Sequence, residues 1–150
     1  MAAVSLRAQA IRLLARREYA RSELEQKLLA KGGEPDEVRV VLDELIALGY
    51  LSDARYAQAT VAHKRKSFAR RHIAETLKAK GVARADIETA LTEAAIDDDA
   101  ALFALWQRRF GRVPDDARER ARQVRFLQAR GFAVAAILRL LRTGAGRAPS

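Results

Sequence analysis

The chain has 150 residues, a formal net charge of +9 at pH 7 and no cysteine. This length suits one ordinary domain or a few small units that share a core. The lack of cysteine excludes disulfides, thiolate zinc sites and cysteine nucleophiles, and the apolar runs are too short for a transmembrane helix. The charge favours an anionic partner, such as nucleic acid or an acidic protein surface, although a solvated arginine-rich surface has the same composition.

The first third of the chain carries three helical patterns. The basic N-terminus lacks an unbroken apolar segment and a cleavage site, so we interpret it as the first helix of a cytoplasmic protein. A second helix is predicted over about residues 20–31, with a capping box of Ser22 and Glu25 at its start. Gly32 is expected to end it in the left-handed conformation. Pro35 then suits the first turn of a third helix, which runs to Gly49.

The remaining two thirds follow the same plan. The pattern Leu-x-Ala-basic-Gly stands at residues 28–32, 77–81 and 127–131, and the positions six and ten residues after each glycine are apolar every time. Agreement at so many aligned positions predicts internal repeats. We therefore divide the chain into repeats at residues 1–52, 53–96 and 97–142, followed by a small, polar tail at residues 143–150 that we expect to be disordered.

These repeats predict the fold class. No segment shows the period-two alternation of a β-strand, so an all-α fold is expected. A three-helix unit of about 50 residues is too small to bury its apolar stripes alone, and neighbouring units must therefore stack. We expect three tandem three-helix repeats that form an elongated, curved array with an exposed binding face.

The segment joining the first two repeats carries a family resemblance. It reads GYLSDARYA at residues 49–57, and together with LARREYARSELEQKLLAKG before it and RFLQARGF at residues 125–132 it resembles the RecX family of recombinase regulators. The resemblance extends over essentially the whole chain. Two positions depart from the family pattern: Ala129 stands where a second basic residue is usual, and Arg118 replaces the aromatic-Ala-Arg start of the first two repeats.

The resemblance implies a function that helical periodicity alone does not. RecX-like proteins have no catalytic activity, and no cofactor or metal is expected. They bind the RecA recombinase, particularly its filament on single-stranded DNA, and lie in the filament groove. In many members this limits filament growth, strand exchange, ATP hydrolysis and repressor self-cleavage, and some members bind DNA directly. By resemblance we expect a monomer in the cytoplasm with no membrane association.

The candidate binding residues are basic. The segment KRKSFARR at residues 64–71 contains no acid, so it predicts contacts with DNA phosphates or with an acidic recombinase surface; a solvated helix end is the alternative. Further arginines lie on one face of a later helix or just before it. The candidates for RecA or DNA binding are Lys64, Arg65, Lys66, Arg70, Arg71, Arg108, Arg109, Arg112, Arg118, Arg122 and Arg125.

Other conspicuous residues have structural interpretations. The acids at residues 97–99 resemble a metal site, but acids at a helix start satisfy its free N–H groups, and we predict a cap. Trp106 lies on an apolar stripe and is predicted to be a core anchor. Phe68 aligns with Tyr19 and is expected to pack, and Tyr50 is expected to pack between repeats. The two histidines, at positions 63 and 72, are too few for a metal or catalytic constellation.

Two other functions compete with a recombinase regulator. The first repeat resembles a helix-turn-helix module, so a sequence-specific DNA-binding protein is the first alternative. Its third helix is acidic and apolar, which argues against entry into a DNA groove. A nuclease is the second alternative, but it would need buried carboxylates and a metal, and no such arrangement is evident in the sequence.

Overall fold

The computed structural model describes residues 5–144, and nine α-helices form in this part of the chain, with no β-strand. Three helices fall in each predicted repeat, which confirms the all-α repeat fold. The disordered tail predicted at residues 143–150 lies outside the described residues from residue 145 onward. The helices are α1 (Leu6–Arg16), α2 (Arg21–Ala30), α3 (Pro35–Ala47), α4 (Asp53–Lys64), α5 (Arg70–Ala79), α6 (Arg84–Glu93), α7 (Asp98–Arg109), α8 (Ala117–Ala129) and α9 (Val134–Thr143).

The chain forms two compact units. Unit 1 comprises Met1–Thr60 and Leu77–Ala90, and unit 2 comprises Val61–Thr76 and Leu91–Ser150. Apolar side chains spaced along α1, α2 and α3 bury the core of unit 1, and those of α7, α8 and α9 bury the core of unit 2. None of the helices in residues 5–144 is long and apolar enough to cross a membrane.

The glycine of the repeated motif ends the second helix of each repeat, as predicted. Gly32, Gly81 and Gly131 have φ angles of +93°, +79° and +92°, in the left-handed region that only glycine adopts without steric cost. Gly131 has a second role. A Cβ atom at this position would lie 2.7 Å from the Cβ of His72, whereas one at Gly32 would meet nothing within 4 Å. The glycine at 131 therefore also permits a close approach of α5 to the end of α8.

The N-termini of α2 and α5 are completed by acids from the following repeat. Each helix begins after an alanine, which offers no side-chain acceptor for the first-turn N–H groups. The carboxylate of Asp53 accepts a hydrogen bond from the Arg21 N–H at 2.8 Å, and that of Asp98 accepts one from the Arg70 N–H at 2.9 Å. Both acids stand at the first position of the next repeat's first helix.

Two local predictions at this level are wrong. The predicted capping box of Ser22 and Glu25 does not form: Glu23 accepts the hydrogen bond from the Ala20 N–H at 3.1 Å, because the N-cap of α2 is Ala20 and the helix starts earlier than that box requires. The hydroxyl of Ser22 instead donates to the Lys80 carbonyl. Tyr50 does not pack between repeats; it is 53% exposed.

The acid that caps α5 can be tested with two substitutions at one position. Replacing Asp98 by alanine removes the acceptor and should lower the free energy of unfolding by about 1 kcal/mol. Replacing it by asparagine removes the charge but keeps an oxygen acceptor, so this variant should lose less. Urea unfolding followed by circular dichroism measures both, and equal losses would show that charge, not the cap, is what matters.

The two roles of the motif glycine can be separated with Gly32→Ala and Gly131→Ala. Both variants put alanine at nearly the same left-handed φ, which costs about 1 kcal/mol. Gly131→Ala also forces its methyl group into the Cβ of His72 and should lose about 2 kcal/mol more. Thermal unfolding compares the two variants, and a similar loss in both would mean that the contact with His72 relaxes without cost.

Candidate binding surface

All eleven basic residues predicted to bind RecA or DNA fall within unit 2. By sequence this unit holds 16 basic and 8 acidic residues, whereas unit 1 holds 12 and 11. The structure therefore places the candidates, which come from separate stretches of sequence, in one compact body. The positive charge of the protein is concentrated there.

A hydrogen bond from a side chain of α7 to a backbone carbonyl links α7 to the turn after α4. After Lys64 the helix gives way to a turn, and Arg65 and Lys66 are exposed. The guanidinium of Arg108, on α7, donates a hydrogen bond to the Lys66 carbonyl at 2.9 Å. Arg108 thus belongs with the cluster at residues 64–66 and not with the loop that follows α7.

Cations and aromatic rings alternate along the surface. The Lys64 Nζ lies 4.6 Å from the ring centroid of Phe68. The Arg130 Cζ also lies 4.6 Å from that centroid, and it lies 4.9 Å from the ring centroid of Phe126. The Arg109 Cζ lies 5.1 Å from Phe126. Each such contact is worth about 0.5–1 kcal/mol at an exposed site. We call these five residues the cation–aromatic row.

The two rings of the cation–aromatic row each contact two positively charged side chains. Phe68 is half-buried and also stacks on His72, with ring centroids 4.4 Å apart, which fits the packing role predicted for it. Arg130 is not among the candidates predicted from the sequence, where it is the basic member of the helix-ending motif. The phenylalanine four residues before it, Phe126, was the available signal, since residues at i and i+4 face the same side of a helix.

The arginines of α8 differ in their partners. Arg118, Arg122 and Arg125 are exposed along α8, as the spacing predicts. Arg122 donates two hydrogen bonds to Glu119, at 2.9 and 3.0 Å, and these lower the pKa of the Glu119 carboxyl. Within residues 5–144, Arg118 and Arg125 form no ion pair, so their charges face solvent.

A buried glutamine fixes the loop that carries Arg112. Gln123 accepts a hydrogen bond from the Trp106 Nε1 at 2.9 Å and donates one to the Arg112 carbonyl at 3.1 Å. Trp106 is 2% exposed, which confirms it as a core anchor. Gln123 was not singled out in the sequence, because its burial depends on contacts with residues far away in the chain.

The acid cluster at the start of α7 caps that helix, and the two histidines lie in different surroundings. Asp97 accepts hydrogen bonds from the N–H groups of Asp99 and Ala100, at 3.0 and 3.2 Å, which confirms the predicted cap. His63 is exposed. Burial lowers the pKa of His72, and the positive charges of Lys64 and Arg130 lower it further, while Glu75 opposes them. In the described part of the chain, no group of three or more histidines and acids is placed to hold a metal ion.

Comparison with known proteins identifies the family. Residues 7–45, 52–91 and 97–141 match the first, second and third three-helix domains of RecX. The chain is 46% identical over 140 residues to the "Regulatory protein RecX" of Pseudomonas savastanoi pv. phaseolicola, covering 92% of this chain and 90% of that protein. It is 40% identical over 139 residues to the "Regulatory protein RecX" of Leptothrix cholodnii, covering 93% and 88%.

A solved structure shows the same fold. The crystal structure of RecX from Lactobacillus salivarius superposes with a TM-score of 0.68 at 21% identity, covering 91% of this chain and 94% of that one. Three consecutive domain matches and more than 40% identity to relatives over nine tenths of the chain leave one assignment: this protein belongs to the RecX family.

Proposed function

We propose that this protein is a non-enzymatic cytoplasmic regulator that binds the RecA recombinase and its filament on single-stranded DNA. Binding mostly inhibits the recombinase, ATPase and coprotease activities of that filament. One observation carries the proposal: in a chain of the RecX family, all eleven candidate basic residues lie in the one unit that holds the excess positive charge. A nucleoprotein filament offers phosphates and acidic protein surface to such a unit.

The affinity is distributed over many contacts. Each lysine or arginine that neutralises a phosphate releases counterions, so binding weakens as salt rises. Surface residues such as Arg118 and Arg125 each contribute a small increment, and several increments add when one body holds the residues in fixed positions. Single substitutions of these surface cations are therefore expected to weaken binding gradually and not to abolish it.

Inhibition follows from which form of the filament is bound. A ligand shifts an equilibrium only by the difference between its affinities for the two states. A protein that occupies the groove of the filament excludes the duplex strand that must enter it for exchange. It also opposes any rearrangement of subunits that would close the occupied groove, and this accounts for a lower rate of ATP hydrolysis.

A sequence-specific helix-turn-helix protein remains the alternative, and one observation weighs against it. The exposed part of α3, the helix that would read DNA in the first repeat, carries Asp36, Glu37, Asp43 and Glu44 and a single arginine, Arg39. Although Asp36 and Asp43 form ion pairs with Arg39 and Arg21, the helix keeps a net negative charge, which repels the phosphates that flank a DNA groove.

The test is RecA filament ATPase and strand exchange, with and without this protein, at several salt concentrations. We expect inhibition of both reactions and a steep loss of inhibition as salt rises. No effect on either reaction, combined with tight binding to one duplex sequence, would overturn the proposal in favour of the helix-turn-helix alternative.

Charge reversal tests the basic surface directly. The double variant Arg65→Glu, Lys66→Glu should weaken filament inhibition about tenfold or more and reduce the salt dependence of binding, because two cations that contact phosphates or acidic recombinase surface are replaced by acids. The matched control is Arg7→Glu, Arg12→Glu, which makes the same change of charge on exposed residues of unit 1. Equal weakening by the two variants would show that only net charge matters.

Arg130 is expected to act by position as well as charge. Arg130→Lys keeps the positive charge but removes the planar guanidinium from between Phe68 and Phe126. We expect a loss of about 1 kcal/mol in unfolding free energy and severalfold weaker filament binding. Wild-type filament binding by this variant would show that the guanidinium of Arg130 is not needed for binding.

A further inference from the structure

Unit 2 has a shallow apolar pocket between the end of α4 and the start of α7. Its volume is about 280 Å³, and its apolar lining consists of Ile96 and of alanines, among them Ala95, Ala100 and Ala104. Ala100 and Ala104 are one turn apart on α7, and both are exposed. Small residues at these positions leave room for an aliphatic side chain supplied from outside.

The rim of the pocket is positive. Arg65, Lys66 and Arg108 stand at its edge, and Arg108 is fixed there by its hydrogen bond to the Lys66 carbonyl. The acid at the pocket, Asp97, has its carboxylate turned to the N–H groups at the start of α7. The pocket thus combines an apolar interior with cations that attract a carboxylate.

The backbone at one wall is strained. Ala95 has a φ of +51° and is the one non-glycine residue with a positive φ in residues 5–144. The residues with positive φ that follow α3 and α9 are glycines, Gly49 and Gly144. An alanine costs more than glycine in this conformation, and here its methyl group forms part of the pocket. Backbone strain that is kept at a position where glycine would relieve it is typical of binding sites.

The chemistry favours a peptide over a nucleotide. Sites for unpaired bases provide aromatic rings for stacking, and the lining of this pocket contains none. We propose that the pocket receives a short segment of the recombinase in which an aliphatic side chain lies beside one or two carboxylates. This inference rests on the proposed function and assigns protein binding to the pocket, separately from phosphate contacts elsewhere on the basic surface.

Ala104→Phe fills the pocket without changing any charge. Fluorescence anisotropy would measure its binding to DNA-free RecA and, separately, to a single-stranded oligonucleotide. We expect recombinase binding to fall about tenfold or more, as for loss of a central interface contact, with oligonucleotide binding unchanged. Ala135→Phe, at an exposed alanine of α9 outside the pocket, is the matched control and should bind both like the wild type.

A second variant keeps the test valid if Ala104→Phe unfolds. Ala95→Gly relieves the strain and removes a wall, so it should raise the melting temperature while weakening recombinase binding severalfold. Wild-type recombinase binding by both variants would overturn the pocket, as would weaker oligonucleotide binding alone, which would mean a nucleic-acid site. Wild-type protein that fails to bind the recombinase would overturn both the pocket and the proposed function.

Discussion

Helices α2 and α5 cannot complete their own N-termini, because each begins after an alanine that has no acceptor for the first-turn N–H groups. The missing acceptor is a carboxylate that belongs to the following repeat, Asp53 for the Arg21 N–H and Asp98 for the Arg70 N–H. A backbone N–H left unpaired away from water costs about as much as a lost hydrogen bond. What is usually a local cap has become a long-range contact, and each of these helices depends on the repeat that comes next.

Helix α8 shows the alternative solution. It begins after Asp116, whose side chain accepts a hydrogen bond from the Glu119 N–H at 2.8 Å. With its own cap the helix needs no acid from another element. This difference gives a physical reason for the departure of the third repeat from the aromatic-Ala-Arg start: a helix that begins after an aspartate has no use for the alanine that the other two share. Arg118, in the first turn, is then free to face solvent.

The features that could be predicted from the sequence are those that depend on residues close together in the chain. The stops at Gly32 and its counterparts and the cap at Asp97 each depend on a few adjacent residues. Contacts between distant segments could not be predicted. Ser22 satisfies the rule for a local cap, yet its hydroxyl serves the Lys80 carbonyl 58 residues away. Charge in the sequence indicates the candidate surface, but the position of Arg130 near both Phe68 and Phe126 depends on contacts between segments far apart in the chain.

Aligned positions of the repeats carry different charges in the two units. In unit 1, Lys80 forms a salt bridge with Glu23 at 3.3 Å; burial opposes ionisation of Glu23, but the Ala20 N–H, Arg17 and Lys80 outweigh it and lower its pKa. In unit 2, the aligned residues are Arg130 and His72. An imidazole is either neutral or positive, so His72 cannot balance the charge of Arg130. Burial and neighbouring cations lower the pKa of His72, which favours its neutral form at neutral pH. Exchange of one acid for a neutral ring leaves a cation uncompensated, and Phe68 and Phe126 hold it in place. The helical junction that holds a carboxylate between two cations in unit 1 thereby becomes part of the basic surface of unit 2.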